Sequence, residues 1–164
     1  MAKRVQNSFG ETVVNEGTTI FLPYEKYVLD HTRAYIIFDI IPMGAVRMTK
    51  SDTWKLNPFH KDPAKRQRPA VTKYFEFKNL LIVSARKVNF ELGKYIDAVY
   101  LIPMPASWSE KKKKLMNGMP CEAKPDTDNI TKAIKDTLRK EDSDIWWEKA
   151  EKRWAYKGSI IIFK

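Results

Sequence analysis

The sequence is poor in the residues on which disulfide and zinc chemistry depend. Cys121 is the only cysteine among 164 residues, which excludes an internal disulfide and a cysteine-based zinc site. The two histidines, His31 and His60, lie far apart and lack metal-ligand spacing, so we expect structural or surface roles for both. Because neither a signal peptide nor a run of about 18 apolar residues occurs, we expect a cytoplasmic protein that does not enter a membrane.

Acidic residues are outnumbered by basic ones. The chain has 30 lysines and arginines against 20 aspartates and glutamates, which gives a net charge of +10. This excess favours a polyanionic partner, and nucleic acid more readily than a membrane surface, because no amphipathic anchor accompanies the charge. A charge balance alone does not identify the partner.

A basic, loop-like stretch at 42–73 carries much of this charge. Its eight lysines and arginines face two aspartates, and Trp54 and Phe59 are interleaved with them. Cations for phosphates together with aromatic faces for bases are typical of DNA-binding loops, although a solvated loop with two anchoring aromatics has the same composition. A second basic run, 111–114, belongs to a short helix predicted to begin at Ser107, and it is either a DNA contact or a solvated face. We predict DNA-binding roles for Arg47, Lys50, Lys65, Arg66, Arg68, Lys111 and Lys112.

Residues 124–144 hold the densest arrangement of groups suited to catalysis. Pro125 disfavours helix in the residue before it, and 126–128 are all N-cap types, so a helix should begin within this triplet and run to about residue 139. An apolar stripe on this helix would place Asp128, Lys132 and Asp136 near the opposite face. Asp126 and Asp128 would lie at the positive end of the helix dipole, and such oxygen ligands suit magnesium or manganese.

A second acidic group follows this helix at Glu141, Asp142 and Asp144. A returning strand could bring one of these carboxylates beside the first pair and complete a three-carboxylate metal site. Each piece also has a plainer interpretation, namely a helix N-cap, a solvated ladder of ion pairs and a polar turn. The pieces gain weight only in combination.

In combination they resemble the RusA-like Holliday junction resolvases, or crossover junction endodeoxyribonucleases. The motif Lys-Pro-Asp-x-Asp-Asn-x-x-Lys-x-x-x-Asp-x-Leu is matched in register over 124–138, and Glu141-Asp142-Ser143 stands where the family usually has Asp-Asp-Ser. The resemblance implies that Asp126, Asp128 and Asp142 bind Mg²⁺, with Mn²⁺ as a substitute, and that Lys132 assists at the phosphate. Asp136 is an auxiliary candidate. The connection after the helix is shorter than usual, which leaves Glu141 and Asp144 as alternatives to Asp142.

The resemblance also implies a function. The expected protein is a magnesium-dependent endonuclease that resolves Holliday junctions by paired nicks in opposed strands during DNA recombination and repair. It would act on branched DNA as a homodimer, in a bacterium or a phage. The alternative is a non-catalytic, architectural DNA-binding protein that uses the loop at 42–73. A different nuclease pattern, Pro-Asp followed by Asp/Glu-x-Lys, is weakened because no acidic residue after Asp126 has a lysine two places on.

The predicted fold is α+β, a single domain with a mixed sheet and helices packed on it, as in RusA-like proteins. We assign 1–33 to an N-terminal arm with a short strand at 18–22, and 34–164 to the RusA-like endonuclease domain. Strands are predicted at 34–41 and 95–102, which should pair, and a helix at 72–86 should place its aromatics in the core. Residues 145–154 fit either a helix or a strand. The resemblance favours a strand that forms a hairpin with Ser159–Phe163.

Overall fold

A six-stranded mixed sheet forms the centre of the protein, in a computed structural model that describes residues 3–7, 10–15, 34–55, 57–139 and 143–164. The order of the strands across the sheet is β1-β2-β3-β6-β4-β5. The strands are β1 Lys3–Asn7, β2 Gly10–Asn15, β3 Tyr35–Phe38, β4 Tyr95–Pro103, β5 Trp147–Ala155 and β6 Ser159–Phe163. The α-helices are α1 Lys50–Trp54, α2 Pro69–Lys87, α3 Glu110–Met116 and α4 Thr127–Leu138. The predicted α+β architecture is confirmed.

The pairing of the strands differs from the prediction in two places. The segments 34–41 and 95–102 were expected to pair, but β6 lies between β3 and β4 and is antiparallel to both. The expected hairpin of β5 with β6 is also wrong, because β5 pairs in parallel with β4, which separates the two. Strands β5 and β6 lie on either side of β4, about 10 Å apart. Because β4 ends at Pro103, the short link from Ala155 to Ser159 can cross the end of that strand.

Alternation along the central strands gives the sheet two apolar faces. The side facing α2 and α4 holds the larger core, which includes Ile36, Phe38, Tyr100, Ile160 and Ile162. The intervening residues form a smaller cluster on the other side, with Tyr35, Val99, Leu101, Ile161 and Phe163. Strand β6 lies between β3 and β4, and both of its faces are buried. A continuous apolar run is typical of such a strand.

The helix predictions are largely confirmed. Helix α2 begins three residues before the predicted 72, with Pro69 in its first turn, and it buries Tyr74 and Phe77. Phe75 is half exposed, so the expectation that the aromatics of this helix belong to the core is wrong for it. Helix α3 does not begin at Ser107, because Ser109 is the N-cap and its side chain accepts from the Lys112 amide.

Other boundaries differ because of local turns. Strand β3 ends at Phe38, earlier than predicted, since the Ile40 amide turns back to the Phe38 carbonyl. Residues 3–7 and 10–15 of the predicted arm form β1 and β2, which were not predicted and which extend the sheet beyond β3. The strand predicted at 18–22 and His31 lie outside the described residues. Among the described helices, none is long and apolar enough to cross a membrane.

A buried hydrogen bond ties α4 to the sheet. The Tyr100 hydroxyl lies 2.8 Å from Thr131 Oγ1, which in turn donates to the Thr127 carbonyl at 3.0 Å. Because the single hydroxyl hydrogen of Thr131 is used there, Tyr100 is the donor to Thr131. Burial raises the pKa of Tyr100 well above its usual range, so this hydroxyl keeps its proton.

This bond predicts unequal effects of removing its two partners. Tyr100→Phe leaves Thr131 bonded to Thr127 and should cost about 1 kcal/mol of unfolding free energy, whereas Thr131→Val leaves a buried hydroxyl without an acceptor and should cost about 1–3 kcal/mol. Urea denaturation of both variants and of the double variant measures the difference. The double variant should recover part of the loss of Thr131→Val, and strictly additive losses would contradict this assignment.

Candidate functional site

Two exposed carboxylates stand at the start of α4. Asp126 occupies the N-cap position, yet its side chain makes no capping hydrogen bond, and Asp128 lies in the first turn. Within the described part of the chain neither carboxylate forms an ion pair. The positive end of the helix dipole faces both groups, so this is a favourable place for negative charge. Asp126 therefore caps the helix through its backbone alone and its carboxylate is available to a cation.

The backbone that carries these carboxylates is held from two sides. Lys152 of β5 donates to the carbonyls of Ala123 and Pro125, the latter at 2.8 Å. On the other side the segment after β3 crosses the helix start, and the Ala45 amide donates to the Asn129 carbonyl at 3.0 Å. The site is thus fixed by tertiary contacts that the motif itself does not reveal.

Gly44 makes the closest approach in this crossing. A methyl group on its Cα would lie 2.5 Å from Nδ2 of Asn129 and 3.0 Å from Cβ of Pro125. A side chain at this position would require Asn129 and Pro125 to shift.

A groove lined by several cations runs along the face of α4 that carries Asn129, Lys132 and Asp136. Its walls come from α4, α2 and the segment after β3, and they include Arg47, Tyr74, Lys78, Asn129, Lys132 and Asp136. The structure therefore brings together three residues predicted from the sequence, Arg47, Lys132 and Asp136. Burial, and then the charge of Asp136, raise the pKa of Tyr74, so its hydroxyl remains a neutral hydrogen-bond donor in the groove.

Two groove residues were missed by the sequence analysis. Tyr74 was assigned to the core from its place in the apolar stripe of α2, and its ring is indeed buried while it also lines the groove. Lys78 follows it by one helical turn, and its Nζ lies 5.7 Å from the centre of the Tyr74 ring. The available signal was this four-residue spacing, which places a cation at the edge of a stripe that packs against α4.

The acidic group after α4 is only partly described. Glu141 and Asp142 lie outside the described residues, and no group of three or more His, Cys, Asp or Glu suited to a metal is found in the residues that are described. Asp144 forms an ion pair with Arg139 just beyond the C-terminal end of α4. At 1.5 Å per residue, Arg139 is about 16 Å along the helix axis from Asp128. Asp144 is therefore not placed beside the first carboxylate pair.

The basic loop is organised around a buried carboxylate. Asp52 accepts from Arg68, with the closest contact at 2.6 Å, and from the amide and hydroxyl of Thr49. The Arg68 hydrogen bond, aided by Thr49, holds the pKa of Asp52 well below its usual range, so the pair is ionised. Arg68 also donates to the Arg47 carbonyl at 3.0 Å. Arg68 thus anchors the loop, and its DNA contact stays a prediction.

The other predicted DNA-binding residues occupy the surface in different surroundings. Lys50, Lys65, Arg66 and Lys111 are exposed, and Arg66 donates to the His60 carbonyl at 2.7 Å. Lys112 lies over the Trp108 ring, 4.0 Å from its centre, an arrangement that stabilises α3 by a cation–π contact. Their contacts with DNA also stay predictions.

Carboxylates for a divalent cation beside cations for phosphate are an arrangement typical of metal-dependent nucleases. The sequence model of the family described as Endodeoxyribonuclease RusA matches residues 61–163, more than half of the chain. The chain therefore belongs to the RusA endodeoxyribonuclease family, as its motif predicted. This family comprises Holliday junction endonucleases that bind branched DNA and generally depend on a divalent metal. We found no match among curated proteins or among solved structures.

The packing at Gly44 yields a prediction about the site. Gly44→Ala should lower the rate of DNA cleavage on the order of tenfold to a hundredfold, because the added methyl group displaces Asn129 and Pro125 next to the carboxylates. The unfolding free energy should fall by about 1–3 kcal/mol. Gly93→Ala is the matched control, since nothing lies within 4 Å of a Cβ at that position. Equal cleavage rates in the two variants would show that the crossing segment does not position the site.

Proposed function

We propose that this chain is a magnesium-dependent endonuclease that resolves Holliday junctions by paired nicks, with its catalytic centre at the start of α4. The observation that carries the proposal is the placement of Asp126 and Asp128. Both are exposed at a helix N-terminus, without ion pairs in the described part of the chain, and the next residue along α4, Asn129, lines the groove that contains Lys132. Two exposed carboxylates two residues apart, with no competing ion pair in the described residues, can both offer oxygens to one cation.

The donors present fit a hard divalent cation. Asp126 and Asp128 offer carboxylate oxygens that are exposed to solvent, which suits Mg²⁺ or Mn²⁺ and does not suit a soft metal. We assign these two residues, with Asp142 as the third, to the metal site. A divalent cation held there would supply an activated water and would neutralise charge on the scissile phosphate.

The groove supplies the remaining functions from the residues of this chain. Lys132 is exposed one helical turn after Asp128, and its ammonium group would stabilise the negative charge that develops on the phosphate. Lys78 and Arg47, from the other walls, would bind the neighbouring phosphates of the same strand. The neutral Tyr74 hydroxyl can donate a hydrogen bond to a phosphate oxygen. Asp136 is assigned an auxiliary role, since it lines the groove one helical turn after Lys132.

The symmetry of the substrate supports a dimer. A four-way junction presents two equivalent strands for cleavage, and two opposed nicks require two like sites in a fixed relation. We therefore propose a homodimer that acts in DNA recombination and repair. Gel filtration of the complex that gives one 19.2 kDa chain per junction, and not two, would refute this part of the proposal.

The catalytic assignment is tested with a synthetic four-way junction on which binding and cleavage are scored separately. The wild type should produce paired symmetrical nicks with Mg²⁺ and none with a chelator. Asp128→Asn and Lys132→Ala should lose cleavage on the order of a hundredfold or more while still binding, because each removes charge needed at the reacting phosphate.

Matched controls are available on exposed positions away from the groove. Glu91→Gln and Lys87→Ala remove the same charges and should cleave at the wild-type rate. Tight binding by the wild type without cleavage under any metal would instead establish the alternative, an architectural DNA-binding protein.

A second prediction concerns the third carboxylate. Asp142→Asn should abolish cleavage, whereas Asp144→Asn should retain it, because the Asp144 carboxylate is engaged with Arg139 at the far end of α4. Asp144→Asn should lower the unfolding free energy by about 1 kcal/mol or less, as expected for a partly exposed ion pair. Cleavage assays and urea denaturation of both variants check this. The reverse pattern of activities would transfer the ligand role to Asp144.

A further inference from the structure

Two aromatic side chains project from the basic loop almost without contacts. Trp54 is 86% exposed at the end of α1, and Phe59 is 88% exposed five residues later. Side chains of this size offer about 150–250 Å² of surface and are normally buried for much of it. Both precede residue 61, where the family match begins, so they belong to this chain rather than to the matched family region.

Hydrogen bonds hold the described residues of the loop on both sides of the rings. The Asp52 carboxylate joins the start of α1 to Arg68, and the Gln67 amide donates to the Asn57 carbonyl at 3.2 Å. The Phe59 amide donates to Asn57 Oδ1 at 2.8 Å, two residues back. These contacts reduce the ordering that the described parts of the loop must undergo when a partner binds the rings.

The surroundings of the rings identify the chemistry of the partner. Exposed cations flank them along the loop, at Lys50, Lys61, Lys65 and Arg66, with Asp62 as an acidic neighbour. An apolar protein surface would gain little from these charges. Flat aromatic faces among cations match a strand of nucleic acid, whose bases stack on the rings while its phosphates meet the lysines and arginines.

The loop is also continuous with the catalytic groove. Arg47 and Met48 form one wall of the groove, and α1 begins two residues later. Trp54 lies six positions after Met48, a span of at most about 20 Å, which is less than one turn of B-DNA, about 34 Å. DNA held in the groove therefore passes within reach of Trp54. Phe59 lies two residues after Asn57, whose carbonyl accepts from Gln67, and the next residue, Arg68, donates to the Arg47 carbonyl at the groove wall.

We infer that Trp54 and Phe59 stack on bases exposed at the branch point of the DNA, and that this contact makes the protein prefer branched over linear DNA. In a linear duplex each base is covered on both faces by its neighbours, so the rings find no free face. A branch point interrupts that stacking. The inference rests on the proposed function for its substrate, and it adds the residues that recognise the branch.

The test compares affinities for a four-way junction and for a linear duplex of the same arm sequence, in a chelator so that no cleavage occurs. Trp54→Ala and Phe59→Ala should each weaken junction binding about five- to hundredfold and leave duplex binding unchanged. Trp54→Phe should bind the junction nearly as the wild type does, because a ring remains. Trp146→Ala removes a similarly exposed tryptophan outside the loop and should have no effect.

A fluorescent base analogue gives a second readout that does not depend on affinity. 2-Aminopurine at the branch point should change its fluorescence when the wild type binds, whereas the same base in the middle of an arm should not. With Trp54→Ala and Phe59→Ala at saturating concentration the branch-point signal should be lost. Circular dichroism melts of the variants confirm that the chain is folded.

The outcomes separate this inference from the proposed catalysis. Equal losses on junction and duplex, no losses, or a wild type without junction preference would each overturn the inference. Junction preference that is lost in both variants would support it even if the wild type cleaves nothing, a result that would refute the proposed nuclease activity alone. Magnesium-dependent cleavage with junction preference intact in both variants would refute the inference and leave the nuclease activity standing.

Discussion

The packing of one apolar stripe against the sheet determines where the functional groups of this protein can lie. Ile130, Ala133 and Ile134 of α4 are completely buried, which fixes the rotation of the helix about its axis. Residues on the opposite face, Asp128 and Lys132 among them, must then face solvent. The Tyr100–Thr131 hydrogen bond holds the helix after its first turn. The hydrogen bond from Lys152 to the Pro125 carbonyl holds the chain just before the helix. The chemistry at the start of α4 therefore depends on the core beneath it.

The ion pairs of the described residues lie away from the start of α4. Several carboxylates of the domain are neutralised by a partner on another element or further along the chain: Asp39 by Lys157, Asp52 by Arg68, Asp144 by Arg139 and Glu148 by Lys135. These pairs fix loops and strand ends. Asp126 and Asp128 have no such partner in the described residues. These two carboxylates would repel the phosphates of DNA unless a metal and neighbouring cations reversed the local electric field. The groove supplies such cations.

Local patterns in the sequence were sufficient for α2 and α4, because the N-cap types, the apolar stripe and the motif all act within a few residues. The short helix α1 was not predicted within the basic loop, and the catalytic roles of the residues on α4 stay predictions. The short link between β5 and β6 predicted a hairpin and did not reveal that β4 lies between them. The run of apolar residues in β6 is nevertheless typical of a central strand. Gly44 and Lys78 were missed for a related reason. A close backbone approach and a groove between two helices arise only when distant segments meet. The ion pair of Asp144 with Arg139 is local, five residues apart, but no sequence pattern distinguished it from a role for Asp144 in the metal site.

The most direct test of the central claim is a titration of the isotope-labelled protein with Mn²⁺, followed by the broadening of its backbone amide signals in NMR spectra. A paramagnetic ion bound by Asp126 and Asp128 should broaden the amides of 126–132 at the first additions. The same signals should stay sharp in a variant with both aspartates changed to asparagine. Broadening that begins elsewhere, or that is unaffected by the double substitution, would contradict a metal site at the start of α4.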